Sequence, residues 1–456
     1  MNRRTLRLVV TTTLVAVVGL NACTTSKADK NGTDDGKGTT ASVDTRTVAA
    51  GPTTGLTADT IKIAVLWPDF GSLVATGLVP DLGPIEQEVT GYVNYLNKNG
   101  GIAGRQIIAT FHDFDPSDLS GASARAACLE ATEEDKAFAV IGMPSWPQTG
   151  TLCVAEEHET PMIATTSLTP SVSKRTNGRA FSMAMDLVRM SQGWVQVLDD
   201  RGALKAKRIG LVVGDGDIGI KEAATDGIEA ELKARGYEVI ETVVLPCSTQ
   251  FCEQHENAVE KLRSANVNLV FDLLGAVSSP TFISAANAAG FKPQYTFSSS
   301  LLSSTVAKFH ESVAPSLDGM IGVGEFGPNR PGDKPLAPSE FSVKCNDIYE
   351  KAFGSRLTAD AAGMANQGCA MLEVLKRGAE GVPKLGQESL VAGIEGIGEL
   401  VLGPPAPSYC DTPEGSIYSF GPGKHDAGDW VTSLAFDGAT SQFYREEPCQ
   451  WIEIDS

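Results

Sequence analysis

Ile61-Lys62-Ile63-Ala64-Val65-Leu66, broken by Trp67-Pro68-Asp69, is the stretch on which the reading of the fold turns. A short run rich in β-branched residues and bounded by a turn signal predicts a buried strand that ends in a loop. Beyond that loop, Ile85, Val89, Tyr92, Val93 and Leu96 recur at the spacing of one apolar helix face. Asn99-Gly100-Gly101 stops this helix, because glycine tolerates the left-handed turn of a C-cap. Arg105 to His112 reads as a second strand, closed by the turn Asp113-Phe114-Asp115-Pro116. Strand, helix and strand with short links make a βαβ unit, and a βαβ unit makes a parallel sheet.

The alternation continues outward. Helices are expected over Leu119–Thr132 and Pro147–Glu157, with strands at Ala137–Ile141 and Met162–Ala164. Arg179–Met185 is expected to cross to a second lobe. There Leu187, Met190, Trp194 and Leu198 form one helix face, and Ile220, Ala224, Ile228 and Leu232 another. A further helix carries Ala258, Val259 and Leu262, and Pro280–Ala289 is also helical. Strands are expected at Arg208–Val213, Tyr237–Leu245, Val267–Leu273 and Gln294–Phe297. Met320–Phe326 is expected to cross back. Ser339–Ala352 and Ala359–Arg377 read as helices completing the first lobe, and Ser416–Phe420 and Trp430–Phe436 as short strands of a proline- and glycine-rich tail.

Length, charge and cysteine content set the class. The chain has 456 residues and a net charge of -19. That length suits two domains with large cores. That acidity argues against nucleic acid and anionic lipid as electrostatic partners. Arg3, Arg4 and Arg7 precede an apolar run from Leu8 to Leu20, too short to span a bilayer and suited to a signal peptide. Leu20-Asn21-Ala22-Cys23 resembles a bacterial lipobox, so residues 1–22 are expected to be removed and Cys23 lipidated; the alternative is ordinary cleavage near Ala22. Thr24 to Thr57 has the composition of a flexible tether. Nine cysteines, less Cys23, leave an even number in an exported chain. Proximity favours Cys128 with Cys153, Cys247 with Cys252, Cys345 with Cys369 and Cys410 with Cys449. No C-x-x-C occurs, which argues against thiolate metal binding.

The passage Tyr95-Leu96-Asn97-Lys98-Asn99-Gly100-Gly101-Ile102-Ala103-Gly104-Arg105-Gln106-Ile107 resembles the helix-to-strand passage of type I periplasmic binding proteins. The nearest branch is the branched-chain amino-acid-binding type that serves ABC importers. Ala139-Val140-Ile141-Gly142 and Thr160-Pro161-Met162-Ile163 follow in the family's order. The resemblance implies an α/β fold of two Rossmann-like parallel-sheet lobes joined by a multi-strand hinge. It divides the chain into residues 1–22 (signal peptide), 23–56 (tether), 57–178 with 323–400 (N-terminal lobe), 179–322 (C-terminal lobe) and 401–456 (a tail completing the lobes). Ligands of such folds sit beyond the C-terminal ends of the strands, between lobes that close about the hinge.

Candidate site residues follow. Trp67 and Trp146 come directly after expected strand ends, either packed under their own loops or forming an apolar wall of the cleft. The resemblance assigns ligand contacts to Ser145, Trp146, Thr166 and Ser167, and the helix start after Ser145 favours an anionic or strongly polar group. Gly214-Asp215-Gly216-Asp217-Ile218-Gly219 matches the dinucleotide-binding pattern G-x-G-x-x-G. Two aspartates where a pyrophosphate would lie argue against an exported dinucleotide-binding oxidoreductase. In the family this loop carries ligand contacts, here Asp217 and Ile218. The family's acidic partner for an amino-acid ammonium falls at Ser299, and a hydroxyl cannot neutralise a buried ammonium. Asp217, Asp272 or Glu325 could substitute. Five histidines in no hydrolase or metalloenzyme context point away from catalysis. The expectation is a monomeric solute-binding lipoprotein on the outer face of the cell membrane, held there by lipid on Cys23. It would bind a small molecule other than a standard α-amino acid for ABC permease subunits, without cofactor, metal or nucleic acid. The alternative is a ligand-sensing receptor lobe reporting to a membrane partner.

Overall fold

The structure, a computed structural model, describes residues 48–75, 83–118, 120–143, 148–248, 251–299, 313–325, 339–357, 366–402, 417–439, 442–445 and 451–454. The expectations for the signal peptide, Cys23, Ser145, Trp146, Cys410 and Cys449 fall outside these residues. Among the described residues no helix is long and apolar enough to cross a membrane.

The first sheet contains β1 (Thr60–Pro68), β2 (Gln106–Phe114), β3 (Ala139–Gly142), β4 (Met162–Ala164) and β5 (Ala180–Ser182), ordered β2-β1-β3-β4-β5 and parallel throughout. Alternation sends Ile61, Ile63, Val65 and Trp67 into one core and Ala64 and Leu66 into another. Coverage on both faces is why β1 reads as a nearly continuous apolar run. The helix Ile85–Lys98 buries Val89, Tyr92, Val93 and Leu96 on this sheet. It ends where Gly100 and Gly101 take φ of 100° and 73°. At Gly101 a Cβ would overlap the Arg105 carbonyl, so the passage back into β2 requires glycine. Trp67 lies within β1, not in the loop after it: it pairs with Asp113 and is 7% exposed in the first core.

The second sheet is also parallel: β6 (Ile209–Gly214), β7 (Val239–Leu245), β10 (Leu269–Leu273) and β11 (Gln294–Thr296), in the order β11-β10-β6-β7. Between β7 and β10 sits a short hairpin of β8 (Cys247–Ser248) and β9 (Phe251–Cys252). The helix Leu187–Asp200 buries Met190, Trp194 and Leu198, and the Trp194 indole donates to Thr296 Oγ1 at 2.7 Å. β12 (Ile321–Gly324) runs beside the end of β11 through a parallel bridge of Ser298 with Val323. It also pairs antiparallel with β15 (Trp430–Asp437), which pairs in turn with β16 (Gln442–Arg445) and β17 (Trp451–Glu453). β12 thus occupies most of the run expected to cross back, and the crossing follows at its end, at Glu325. Likewise Ala180–Ser182, at the start of the expected first crossing, is an edge strand of the first sheet.

Late segments return to the first lobe. The helices Glu340–Phe353, Gln367–Glu380 and Gln387–Glu395 contribute Ile348, Leu372, Leu375, Leu390 and Ile394 to the core behind β1 and β3. The last of these helices and β13 (Gly398–Val401) are elements the sequence reading did not place; β13 pairs with β14 (Ile417–Phe420), the strand expected at Ser416–Phe420. Cys345–Cys369 joins two of these helices, Cys128–Cys153 joins two on the other face, and Cys247–Cys252 closes the small hairpin. A bridge closing a loop of 24 or 25 residues stabilises by about 3 kcal/mol through the unfolded chain.

Candidate functional site

The strand order gathers the loops into two facing sets. In the first lobe the ends of β1, β3 and β4 are adjacent, which sets Asp69–Phe70 and Thr165–Thr169 on either side of the end of β3. In the second lobe the turn Asp215–Asp217 after β6 and Ser299 after β11 flank the end of β10, about 10 Å apart by strand spacing. The sets meet at Thr169 and Gly219: a Cβ on Gly219 would lie 2.9 Å from Thr169 Cγ2. The Ser171 N–H donates across this junction to Glu222 Oε1 at 3.0 Å, and the Ser171 hydroxyl bonds Glu222 Oε2.

Two hydroxyls on the first-lobe loop stand out. Thr165 Oγ1 and Thr166 Oγ1 are buried and have no hydrogen-bond partner among the described residues. Their loop is held by its backbone: the Thr165 N–H donates to Gly142 O at 2.9 Å, and the Thr166 carbonyl accepts from Ser182 Oγ at 2.7 Å. Facing it, Asp217 caps the helix Ile218–Glu222 by accepting from Gly219 N at 2.7 Å, and burial raises its pKa. The aspartate of the glycine-rich loop is thus used by its own turn. Ser299 is anchored by its N–H to Val323 O at 2.8 Å.

Three crossings form the hinge beside this site: Met183–Asp186, the segment at Glu325, and Asp426–Asp429. Glu325 Oε1 accepts from Met185 N at 2.7 Å, joining the first crossing to the second. Asp426 Oδ2 accepts from Asp186 N at 2.8 Å, joining the first to the third. Arg189 bonds Asp426, Gly428 O (2.9 Å), Asp429 Oδ1 (3.1 Å) and Ile454 O. Lys424 lies 3.0 Å from Asp429. Burial, opposed by the Met185 N–H, pushes Glu325 up to about 8. Burial and then the Asp426 charge push Asp186 up to about 7. Gly428 packs so closely on Glu325 and Met185 that a side chain there would collide with both.

Thr166, Ser167, Asp217 and Ser299 accordingly lie on cleft-side loops, Trp67 lies in the core beneath them, and the side chain of Ile218 is outside the described part. Asp272 and Glu325, considered as partners for a ligand ammonium, are used internally. Asp272 is fully buried, accepts from Leu274 N and Ser279 Oγ through Oδ1, has no partner for its buried Oδ2 among the described residues, and is pushed up to about 7 by burial. Sequence reasoning missed the Ser171–Glu222 contact, which has no local signature. It also missed Arg189, although a cation in the first turn of a helix opposes the dipole unless acids surround it.

Comparison with known proteins places this geometry. A family model described as "Periplasmic binding protein" matches residues 60–419. The chain belongs to the periplasmic binding protein family. Its sheets and hinge are the α/β, two-lobe, type I form of that family's fold. The family's solved structures include the Desulfitobacterium hafniense ABC transporter substrate-binding protein in complex with Leu. It is 16% identical, with a TM-score of 0.58 over 85% of this chain and 100% of that one. A Rhodopseudomonas palustris solute-binding protein in complex with 4-hydroxybenzoate is 15% identical, with a TM-score of 0.61 over 87% and 98%. The Streptococcus pneumoniae branched-chain amino acid transporter substrate-binding protein in complex with isoleucine is 13% identical, with a TM-score of 0.57 over 87% and 100%. At these identities the likeness is one of fold. No curated protein matches the sequence.

Proposed function

We propose that this periplasmic binding protein captures a small amphipathic solute between its lobes and delivers it to an ABC permease, without catalysis of its own. The observation that carries the reading is the pair of buried hydroxyls at Thr165 and Thr166, at the C-terminal end of β4, on the loop that touches the second lobe. A buried hydroxyl without a partner is costly, and a polar ligand group in the cleft relieves that cost. In this reading Ser167, Asp217 and Ser299, on loops at the strand ends of the two lobes, also serve the ligand, with Ser145, Trp146 and Ile218 added through the family resemblance. Lipid on Cys23 would hold the protein, as a monomer, at the outer face of the membrane.

The ligand in this reading is not an α-amino acid bound through the family's usual clamp. Ser299 stands where that clamp has an acid, Glu325 bonds the Met185 N–H in the hinge, and Asp272 is fully buried with Oδ1 taken by Leu274 N and Ser279 Oγ. Some structural relatives hold leucine or isoleucine and others hydroxybenzoates. A thermal-shift screen of both classes, followed by calorimetry, tests the proposal, since a ligand of the folded state raises the melting temperature. The expected outcome is binding of an amphipathic acid lacking an α-ammonium. Micromolar binding of leucine, isoleucine or valine would overturn the ligand assignment.

A further inference from the structure

We infer that Glu222 is a latch that draws the lobes together before any ligand is bound. It ends the second-lobe helix Ile218–Glu222, and its partner Ser171 is the second residue of the first-lobe helix Pro170–Arg175. A helix start leaves N–H groups unbonded, and a side chain from the N-cap residue ordinarily takes one of them. Here the N-cap residue, Thr169, has the extended backbone of a cap (φ −131°, ψ 162°) but makes no capping bond. Its hydroxyl instead pairs with Ser171 Oγ at 3.1 Å. Pro170 supplies no N–H, so Ser171 N is the first amide needing an acceptor.

The acceptor comes from the other lobe. Both Glu222 oxygens are taken by Ser171, one by its N–H at 3.0 Å and one by its hydroxyl. Among the described residues Glu222 has no basic partner and no bond within its own lobe, so its bonds exist only while the lobes touch. A carboxylate on a helix start is favoured by charge as well as by hydrogen bonding. The absence of a side chain at Gly219 lets Thr169 approach closely enough for the two bonds to form. Opening exchanges these bonds for water, so the latch biases the closed state modestly, on the order of tenfold in the closed-to-open ratio. Because apparent affinity scales with the population of the binding-competent form, the bias acts on every ligand alike.

The test uses full-length protein stripped of ligand by unfolding and refolding. Small-angle scattering then gives the closed fraction of the wild type, Glu222→Ala, Ser171→Ala and the double variant, with circular dichroism checking that each is folded. Expected are a measurable closed fraction in the wild type and a closed-to-open ratio about tenfold lower in Glu222→Ala. Ser171→Ala should lie between these, and the double variant should match Glu222→Ala, as coupled partners require. Equal closed fractions in folded wild type and Glu222→Ala overturn the latch. Since no ligand is present, the result does not depend on which solute the cleft accepts.

Discussion

At the crossings, the carboxylates meet donors within the protein: Asp426 and Asp429 on Arg189, Asp429 also on Lys424, and Glu325 on Met185 N. On the neighbouring loop, Thr165 Oγ1 and Thr166 Oγ1 meet no donor or acceptor in the described protein. Both regions are polar and both lie where the lobes face each other. The difference is one of purpose. Buried charges that stay together fix where three chain crossings pass and give the lobes a defined pivot. Hydroxyls left without internal partners retain bonding capacity, which the proposed function assigns to a solute.

Substitution at Arg189 tests the first half of this contrast most severely. Arg189→Met leaves Asp426 and Asp429 without their guanidinium in a region that water reaches poorly. A loss of about 3–5 kcal/mol in urea unfolding is expected. A loss below about 1 kcal/mol would mean that the hinge is held by packing alone.

Glu325 sharpens the contrast through pH. Its folded pKa, about 8, lies above the ordinary 4.5. The folded state therefore holds the proton through a range where the unfolded chain has released it. Its contribution is complete below pH 4.5 and is lost as pH rises towards 8. Glu325→Gln keeps an oxygen for Met185 N and cannot ionise. The variant should match the wild type near pH 5 and exceed it by on the order of 4 kcal/mol at about pH 8.5. Parallel melting curves across this range would remove Glu325 from the pH response.

Thr166→Val addresses the cleft and should have the smallest effect on folding. Removing a buried hydroxyl without an internal partner should raise the stability of the ligand-free protein by about 1 kcal/mol. Affinity for the solute found by screening should fall about tenfold, read by calorimetry. A stability loss as large as that at the hinge would show that the loop is structural after all.

The parts of the fold that repeat a simple period were legible. β1, the helix Ile85–Lys98 and β2 were read to within two residues because apolar spacing and the Asn99-Gly100-Gly101 stop agree. Three cysteine pairs followed from proximity. The helix Gln387–Glu395 was missed because its sequence is mixed and it is held by packing on the first core rather than by a clear stripe. Trp67 was read as a loop residue because proline follows it, yet β1 carries on through Pro68. In the candidate site, Thr166, Asp217 and Ser299 were placed through resemblance. The Ser171–Glu222 contact joins residues far apart in sequence and on different lobes, so no local pattern carries it.

The late return of the chain to the first core also sets an order of events. Synthesis proceeds from the N-terminus, and β1 to β5 are complete long before Leu372, Leu375 and Leu390 arrive to cover one of their faces. The parallel strands of the second lobe, Ile209 to Thr296, are all made in that interval. Until residue 395 has emerged, the nascent first sheet shows Val65, Ile141, Ile163 and Phe181 to the surroundings. Uncovered apolar strands of this kind associate with one another or with a holdase. One face of the first sheet thus waits for the last third of the chain before it is covered.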